Sequence, residues 1–375
     1  MTDKGLWKET PLIYSDSLSE KVGADVYLKL ENLHPSYSFK YRGVSHFVRK
    51  AEEERGSDVH LVIASGGNAG LAAACAAKTL NLKCTVFIPE GISKSTLEIL
   101  QREGAEVIVG GRQYSDALDS AKHLVTKDPL KAVMVPAYDN PTLWEGHSSM
   151  IHEIHQQLGQ EPDAIFCSVG GGGLLGGIIG GCEQVGWDHV PLVALETIGS
   201  NCFYESMSLN EGRFNNKSKT LDPGKTLVYN EVHSVYLSRF SSFTSKASGS
   251  LGASEPSAGV VRMAMDRKGE VKTISVPDEL SMEALALFAD DHKLLVELAC
   301  STTLVPAYHP ELFDKLVPTK ENEGRRVVVF IVCGGFKVDL KTALEYERLA
   351  LQCQELKDEP WTIKYDDGQL FSFAK

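Results

Sequence analysis

The sequence contains no apolar run long enough to span a bilayer, and its first residues, Met1-Thr2-Asp3-Lys4-Gly5-Leu6-Trp7-Lys8, hold no apolar signal core. A cytosolic protein with no membrane partner is the expectation. Positive charge is not in excess either: 38 Lys and Arg stand against 50 Asp and Glu, a net charge of −12, which disfavours nucleic acid as a partner. Cysteines in paired, metal-type spacing are missing. The eight present, at positions 75, 84, 167, 182, 202, 300, 333 and 353, are scattered and mostly lie inside apolar runs, as reduced buried thiols do, unlike a disulfide framework or a zinc site. Internal repeats and low-complexity blocks are absent as well.

What is present is a chain of 375 residues, 43% hydrophobic and 23% charged, enough for an ordinary core and about two domains. Short β-branched runs alternate with helical periods: strands at 25–30, 60–64, 84–88, 106–109 and 132–136, helices at 41–55, 69–80, 94–103, 114–126 and 143–158. Strand Asp163–Val169, helix Leu174–Val185 and strand Pro191–Glu196 continue the beat. Residues 199–251, rich in Ser, Asn, Gly and Lys, interrupt it as long connections with short elements only. Segments 271–276, 277–293, 326–333 and 340–354 restore it, and the polar, aromatic tail 357–375 shows no pattern. Such alternation implies an α/β fold of parallel sheets flanked by helices, with ligands at the carboxyl ends of strands.

Four stretches carry chemistry. Gly170-Gly171-Gly172-Gly173 lies between a strand and a helix, so backbone amides and the positive helix end can surround an anion, most simply a phosphate. Gly171-x-Gly173-x-x-Gly176 is also formally a dinucleotide fingerprint, with Glu196 about where a ribose-binding acid sits, so NAD stays open at this point. Lys40, in Pro35-Ser36-Tyr37-Ser38-Phe39-Lys40-Tyr41-Arg42-Gly43, stands among aromatic neighbours just before a helix, where desolvation would favour its neutral amine and a Schiff base. Ser65-Gly66-Gly67-Asn68-Ala69-Gly70 is a glycine turn suited to a carboxylate, or a plain helix cap. Val327 to Gly335 is a buried strand that delivers Cys333 to a glycine corner, although a lone buried cysteine is ordinarily just a small hydrophobe.

Together with Trp144-Glu145-Gly146-His147 and Val296-Glu297-Leu298-Ala299-Cys300, these stretches resemble, in order and at similar spacing, the serine/threonine dehydratase family of type II pyridoxal-phosphate enzymes, closest to the L-serine dehydratases, over about residues 11 to 349. The resemblance implies a two-domain fold of the tryptophan synthase β type. Lys40 matches the lysine that holds pyridoxal 5′-phosphate as a Schiff base and then acts as general base at the substrate Cα, and Phe39 the residue packed on the ring. Gly170, Gly171, Gly172 and Gly173 match the phosphate cup, Asn68 the partner of the ring 3′ oxygen, Ser65 and its neighbouring amides the substrate carboxylate site, and Cys333 with Gly334 the corner facing the ring nitrogen. Glu196, Ser200 and the Gly170 carbonyl match a site for a monovalent cation such as K+. The implied reaction is β-elimination from L-serine or L-threonine, giving pyruvate or 2-oxobutanoate and ammonia, in a homodimer.

The resemblance also implies residues 35–137 as a smaller mobile domain carrying Lys40 and Asn68, with residues 1–34 and 138–375 as the larger, cofactor-binding one. Tyr37, Leu298, Ser301-Thr302-Thr303 and Phe336-Lys337 depart from the family pattern. They leave room for a dehydratase specialised for another β-substituted amino acid, with Tyr37 expected to narrow the pocket. Gly66 stands where racemases of this fold carry a serine, so negligible racemisation is expected. Two other classes remain open: a pyridoxal-phosphate β-replacement enzyme, and a non-catalytic or dinucleotide-binding protein that uses the glycine cup alone.

Overall fold

The computed structural model describes residues 5–210, 221–319, 324–354, 359–366 and 368–375. Its strands, in chain order, are β1 (Leu12–Tyr14), β2 (Asp25–Leu30), β3 (His60–Ala64), β4 (Lys83–Ile88), β5 (Glu106–Val109), β6 (Ala132–Met134), β7 (Ala164–Ser168), β8 (Leu192–Thr197), β9 (Lys225–Asn230), β10 (Val235–Phe240), β11 (Val271–Val276), β12 (Val327–Val332), β13 (Trp361–Tyr365) and β14 (Gln369–Phe373). Two sheets organise the site. A four-stranded parallel sheet runs β5-β4-β3-β6, and an eight-stranded sheet runs β1-β2-β12-β7-β8-β11-β13-β14.

Strand β12, Val-Val-Val-Phe-Ile-Val, is buried along its whole length because parallel neighbours flank it on both edges and helices cover both faces, the setting that continuous β-branched runs satisfy. Phe330 stacks on Phe166 of β7 with ring centroids 4.2 Å apart. Full burial of such a side chain contributes about 1.5–3 kcal/mol. In the smaller sheet, the helix Asn68–Leu80 is nearly all alanine on its buried face, which lets it sit close on the strands. Gly70 at its start is required sterically, since a Cβ there would lie 1.8 Å from the Ser65 carbonyl oxygen.

Two features depart from the expected parallel architecture. Strand β1 adds antiparallel to β2, and the tail with no visible pattern forms the hairpin β13–β14, which pairs antiparallel with β11. The tail is seated by Trp361, Ile363 and Phe373, all buried in the main core. Within 199–251 the described residues form a helix, Cys202–Ser208, and an antiparallel hairpin, β9–β10. Residues 211–220 of that stretch, and 355–358 and 367 of the tail region, lie outside the described residues.

Candidate active site

The carboxyl ends of β3, β7 and β12 converge on one cavity of about 350 Å³. Lys40 is the first residue of the helix Lys40–Arg55, and the loop before it is stitched to the end of β12. The Phe39 N–H donates to the Cys333 carbonyl oxygen at 3.0 Å, and the Gly335 N–H to the Tyr37 carbonyl oxygen at 2.7 Å. This stitching brings Lys40 and Cys333, 293 positions apart in sequence, to the same cavity wall. The Lys40 ammonium donates to the Ala137 carbonyl oxygen at 2.6 Å. Burial lowers its pKa from the usual lysine range to about 8, the nearby Cys333 opposing the shift, so a neutral amine is accessible near physiological pH.

Behind Phe39 lies His147, its ring 4.9 Å from the phenyl ring. Its Nδ1 accepts the Gly43 N–H at 3.1 Å, which fixes the Nε2-protonated tautomer. Burial, with Lys40 adding to it, pushes the His147 pKa well below the ordinary value, so a neutral ring backs Phe39. The sequence motif containing His147 was visible, but its packing role was not.

Opposite Lys40, the glycine cup closes the cavity. Gly172 has φ +94, a left-handed conformation that side chains resist. A Cβ on Gly171 would come within 2.3 Å of the Tyr138 ring. The cup therefore admits glycine only, and the backbone amides stay accessible as the helix Gly173–Gln184 begins. Cys333 is buried, its Sγ 3.4 Å from the Ser168 Oγ, and Gly334 lines the cavity beside it. Glu297 is the one acidic side chain among the residues lining the cavity; its carboxylate lies against Gly335 and is held by hydrogen bonds to other groups.

Glu297, present in a family motif but given no role from the sequence, lines the cavity. Its carboxylate accepts from the Asn68 amide at 3.1 Å, from the Lys337 N–H at 2.8 Å and from the Ser250 hydroxyl. The Asn68 Oδ1 in turn accepts the Phe336 N–H at 3.2 Å. Asn68 thus lines the cavity as expected, but its amide is turned to Glu297 and the Phe336 backbone. Ser65 lines the same wall, its Oγ accepting the Gly67 N–H at 3.3 Å.

Of the residues expected to reshape the pocket, most do not reach it. Tyr37 has φ +58 and is 46% exposed; a left-handed backbone at the position where the family carries glycine swings its side chain outward, so it does not narrow the cavity. Leu298 packs in a separate apolar cluster with Leu251 and Met282. Ser301, Thr302 and Thr303 are fully buried, and the Ser301 hydroxyl donates to the Ser281 carbonyl oxygen at 2.7 Å, away from the cavity lining.

At the expected cation site Glu196 is buried, and its two oxygens accept the N–H groups of Phe203 at 3.0 Å and Tyr204 at 2.6 Å. Burial raises its pKa well above the carboxylate range, against those two bonds. Among the described residues the buried Ser200 hydroxyl has no hydrogen-bond partner, and the Gly170 carbonyl oxygen takes only the Cys202 thiol, at 3.7 Å. An orphan hydroxyl and an under-used carbonyl suit an oxygen-liganded cation. Both Glu196 oxygens are already used by these backbone amides, and burial still disfavours its negative charge.

The residues present fit pyridoxal phosphate on three counts: a cavity-lining amine of lowered pKa, a cup that a single Cβ would fill, and a thiol corner in the same cavity. Residues 4–334 match the family model described as "Pyridoxal-phosphate dependent enzyme". The chain is 36% identical over 348 residues to a mouse protein named serine dehydratase-like, covering 93% of each. It is 34% identical over 340 residues to human L-serine dehydratase/L-threonine deaminase, covering 91% of this chain and 94% of the relative. A solved fungal L-serine ammonia-lyase from Rhizomucor miehei superposes with a TM-score of 0.78 at 29% identity, covering 92% of this chain and 99% of the other. With the family model spanning most of the chain and relatives above 30% identity along nearly its full length, the protein belongs to the pyridoxal-phosphate dependent enzymes.

Proposed function

We propose that the protein is a pyridoxal-phosphate-dependent ammonia-lyase that converts L-serine, and L-threonine, to the 2-oxo acid and ammonia. The observation that carries this reading is the meeting, in one cavity, of the Lys40 amine of lowered pKa with the glycine cup and a cysteine corner. Its relatives' names supply the substrate class. When bound, the cofactor supplies an electrophilic aldehyde and a ring that drains negative charge from Cα.

The chain's own residues do the rest. Gly170 to Gly173 hold the phosphate through backbone N–H groups, and Phe39, backed by neutral His147, packs on the ring. Ser65 and the amides of the turn that follows hold the substrate carboxylate, which aligns the Cα–H bond with the Lys40 amine. Lys40, lowered to about pKa 8, takes that proton as a general base of well-matched strength. Cys333, at the cavity corner, would offer a bound ring only a thiol, a weak hydrogen-bond partner. It would support ring protonation less than a carboxylate and so favour loss of the β-hydroxyl, as water with the proton taken from Cα, over transamination. The released enamine hydrolyses in water to the 2-oxo acid and ammonia.

The same reading places the enzyme in the cytosol as a homodimer, with residues 35–137 closing over the cavity and a monovalent cation at Gly170, Glu196 and Ser200. No helix among the described residues is long and apolar enough to cross a membrane. The test is an absorbance spectrum of the purified protein followed by 2-oxo acid detection with L-serine. A visible Schiff-base band that Lys40→Ala abolishes, together with release of pyruvate, supports the proposal. A protein that is colourless with added cofactor, or that binds a nicotinamide in this cavity, sinks it. If supplied sulfide or homocysteine is converted to a new amino acid faster than pyruvate appears, the enzyme is a replacement transferase instead.

A further inference from the structure

Among the sequence's departures from its family, the structure brings one charged side chain into the cavity: Lys337. Its backbone is pinned, since its N–H donates to Glu297 Oε1 at 2.8 Å. Its ammonium crosses to the opposite wall and lies over Gly67, so close that a Cβ on Gly67 would stand 3.1 Å from Nζ. The same Cβ would stand 3.7 Å from Ser65 Oγ. The Lys337 ammonium and the Ser65 hydroxyl therefore flank one residue of the turn that is suited to a carboxylate.

The charge on Lys337 is available. It donates to a neutral acceptor, the Gly249 carbonyl oxygen, at 3.3 Å, and it forms no ion pair among the described residues. Three charged side chains line the cavity: Lys40, Glu297 and Lys337. Lys40 is needed for the cofactor. The carboxylate of Glu297 is occupied by Asn68, Ser250 and the Lys337 N–H, which leaves it poorly placed to neutralise the ammonium at the far end of the side chain. An amino-acid substrate seated on the Ser65–Asn68 turn brings the missing negative charge.

We propose that Lys337 binds the α-carboxylate of the substrate. It completes from the β12 side of the cleft a site whose other donors, the Ser65 hydroxyl and the turn amides, come from the β3 side, so that substrate binding draws the two walls together. This rests on the amino-acid lyase reading above and adds to it the residue that recognises the carboxylate. A charge-assisted hydrogen bond of this kind contributes about 10- to 100-fold in affinity. The absence of a side chain at Gly67 leaves room for the ammonium, since even a Cβ there would stand 3.1 Å from Nζ.

The experiment compares holoenzyme of wild type, Lys337→Ala, Lys337→Gln and Lys337→Arg on L-serine and on L-serinamide, whose carboxamide carries no charge. Both turnover and the absorbance change on amino-acid binding are read. The expected result is a KM for L-serine raised about 10- to 100-fold in the Ala and Gln variants, with kcat nearly unchanged, the serinamide constants unmoved, and most of the loss restored by Arg. Equal weakening toward serine and serinamide overturns the proposal, as does an unchanged KM. A loss confined to a substrate with a second acid, with 3-hydroxyaspartate as the probe, also overturns it by assigning Lys337 to the side chain. If wild-type holoenzyme releases no 2-oxo acid, the lyase reading falls, while the same comparison made on the binding absorbance still decides the role of Lys337.

Discussion

The ammonium of Lys40 donates to the carbonyl oxygen of Ala137 at 2.6 Å, one neutral acceptor for a half-buried cation on the cavity wall. That is too little compensation to hold the charge, and burial brings the pKa to about 8. Attack on the cofactor aldehyde needs the free amine, so the rate at which apoenzyme takes up pyridoxal phosphate should follow the neutral fraction of Lys40. Below pH 8 the rate should climb about tenfold per pH unit and then level off, the behaviour of a single titrating base. Stopped-flow absorbance of reconstitution across pH 6 to 10, at roughly constant ionic strength, checks this. A rate still rising steeply at pH 9.5 would mean that the lysine titrates as it does in water.

Gly66 bears on stereochemistry. A hydroxyl on the far face of Cα is needed to return a proton there, and Gly66 offers none. The structure adds that a Cβ at this position would lie 3.1 Å from both Ile88 Cγ2 and Ile92 Cδ1, so the turn is packed against isoleucine where a serine would have to fit. Formation of D-serine from L-serine should run below about one-hundredth of the deamination rate, given the 10²–10⁴-fold worth of a positioned acid–base group. Chiral chromatography of reaction mixtures measures it. The variant Gly66→Ser should lose thermal stability before it gains racemisation.

A third expectation concerns the buried charges under the catalytic loop. Arg42, two residues after Lys40, is completely buried and holds Glu31 through Nε at 2.7 Å and Glu153 through Nη2 at 2.6 Å; Lys29 joins Glu153 at 2.6 Å. Burial pushes the Glu31 carboxyl up, but Arg42 and His34 more than offset it and leave its pKa well below the ordinary value. Glu31 therefore contributes stability above about pH 4.5, its unfolded pKa, and that contribution is lost as pH falls through its lower folded value. Arg42→Met should cost about 3–5 kcal/mol by stranding the acids, and adding Glu31→Leu should recover part of it. Urea unfolding at pH 7 measures both; equal stability of wild type and single variant would show the network to be energetically idle.

The alternation of strand and helix could be read from the sequence because parallel strands buried on both faces, such as β7 and β12, are continuous apolar runs that nothing else in the chain imitates. The hairpin β13–β14 could not. Of the hairpin's described residues only Trp361, Ile363 and Phe373 are buried, and the alternation Trp361-Thr362-Ile363-Lys364-Tyr365 is only five residues long, too short to mark a strand until β11 is present to pair with. At the site, Lys40, Asn68, the glycine cup and Cys333 each sit in a turn whose local composition marks it. Glu297 stands in a family motif and Lys337 among the departures, but nothing in their local composition gives either a place in the cavity. Lys337 comes from the segment after β12 and Glu297 from the cap of the helix Leu298–Ser301, and Tyr37, conspicuous in sequence, has a positive φ and lies outside the cavity lining.

Finally, the proposed cation links the cofactor's phosphate to the far side of β8. The Gly170 carbonyl belongs to the cup itself, whereas Glu196 is the penultimate residue of β8 and Ser200 lies in the turn that follows, where a backbone bridge joins Thr197 and Ser200. With Glu196 already held by the Phe203 and Tyr204 amides, an ion there would depend on carbonyls and on the orphan Ser200 hydroxyl, a weak oxygen set suited to a large monovalent cation that exchanges freely. Its loss should then slacken Gly170 and with it the phosphate grip. Exchange of K+ for tetramethylammonium should release cofactor several-fold faster on dialysis and lower kcat/KM to a similar extent. Ser200→Ala should blunt the difference between the two cations while leaving the Lys40 absorbance band intact. Identical cofactor retention in both salts would show that the amides at the start of the Cys202–Ser208 helix satisfy Glu196 unaided, and that no ion is needed.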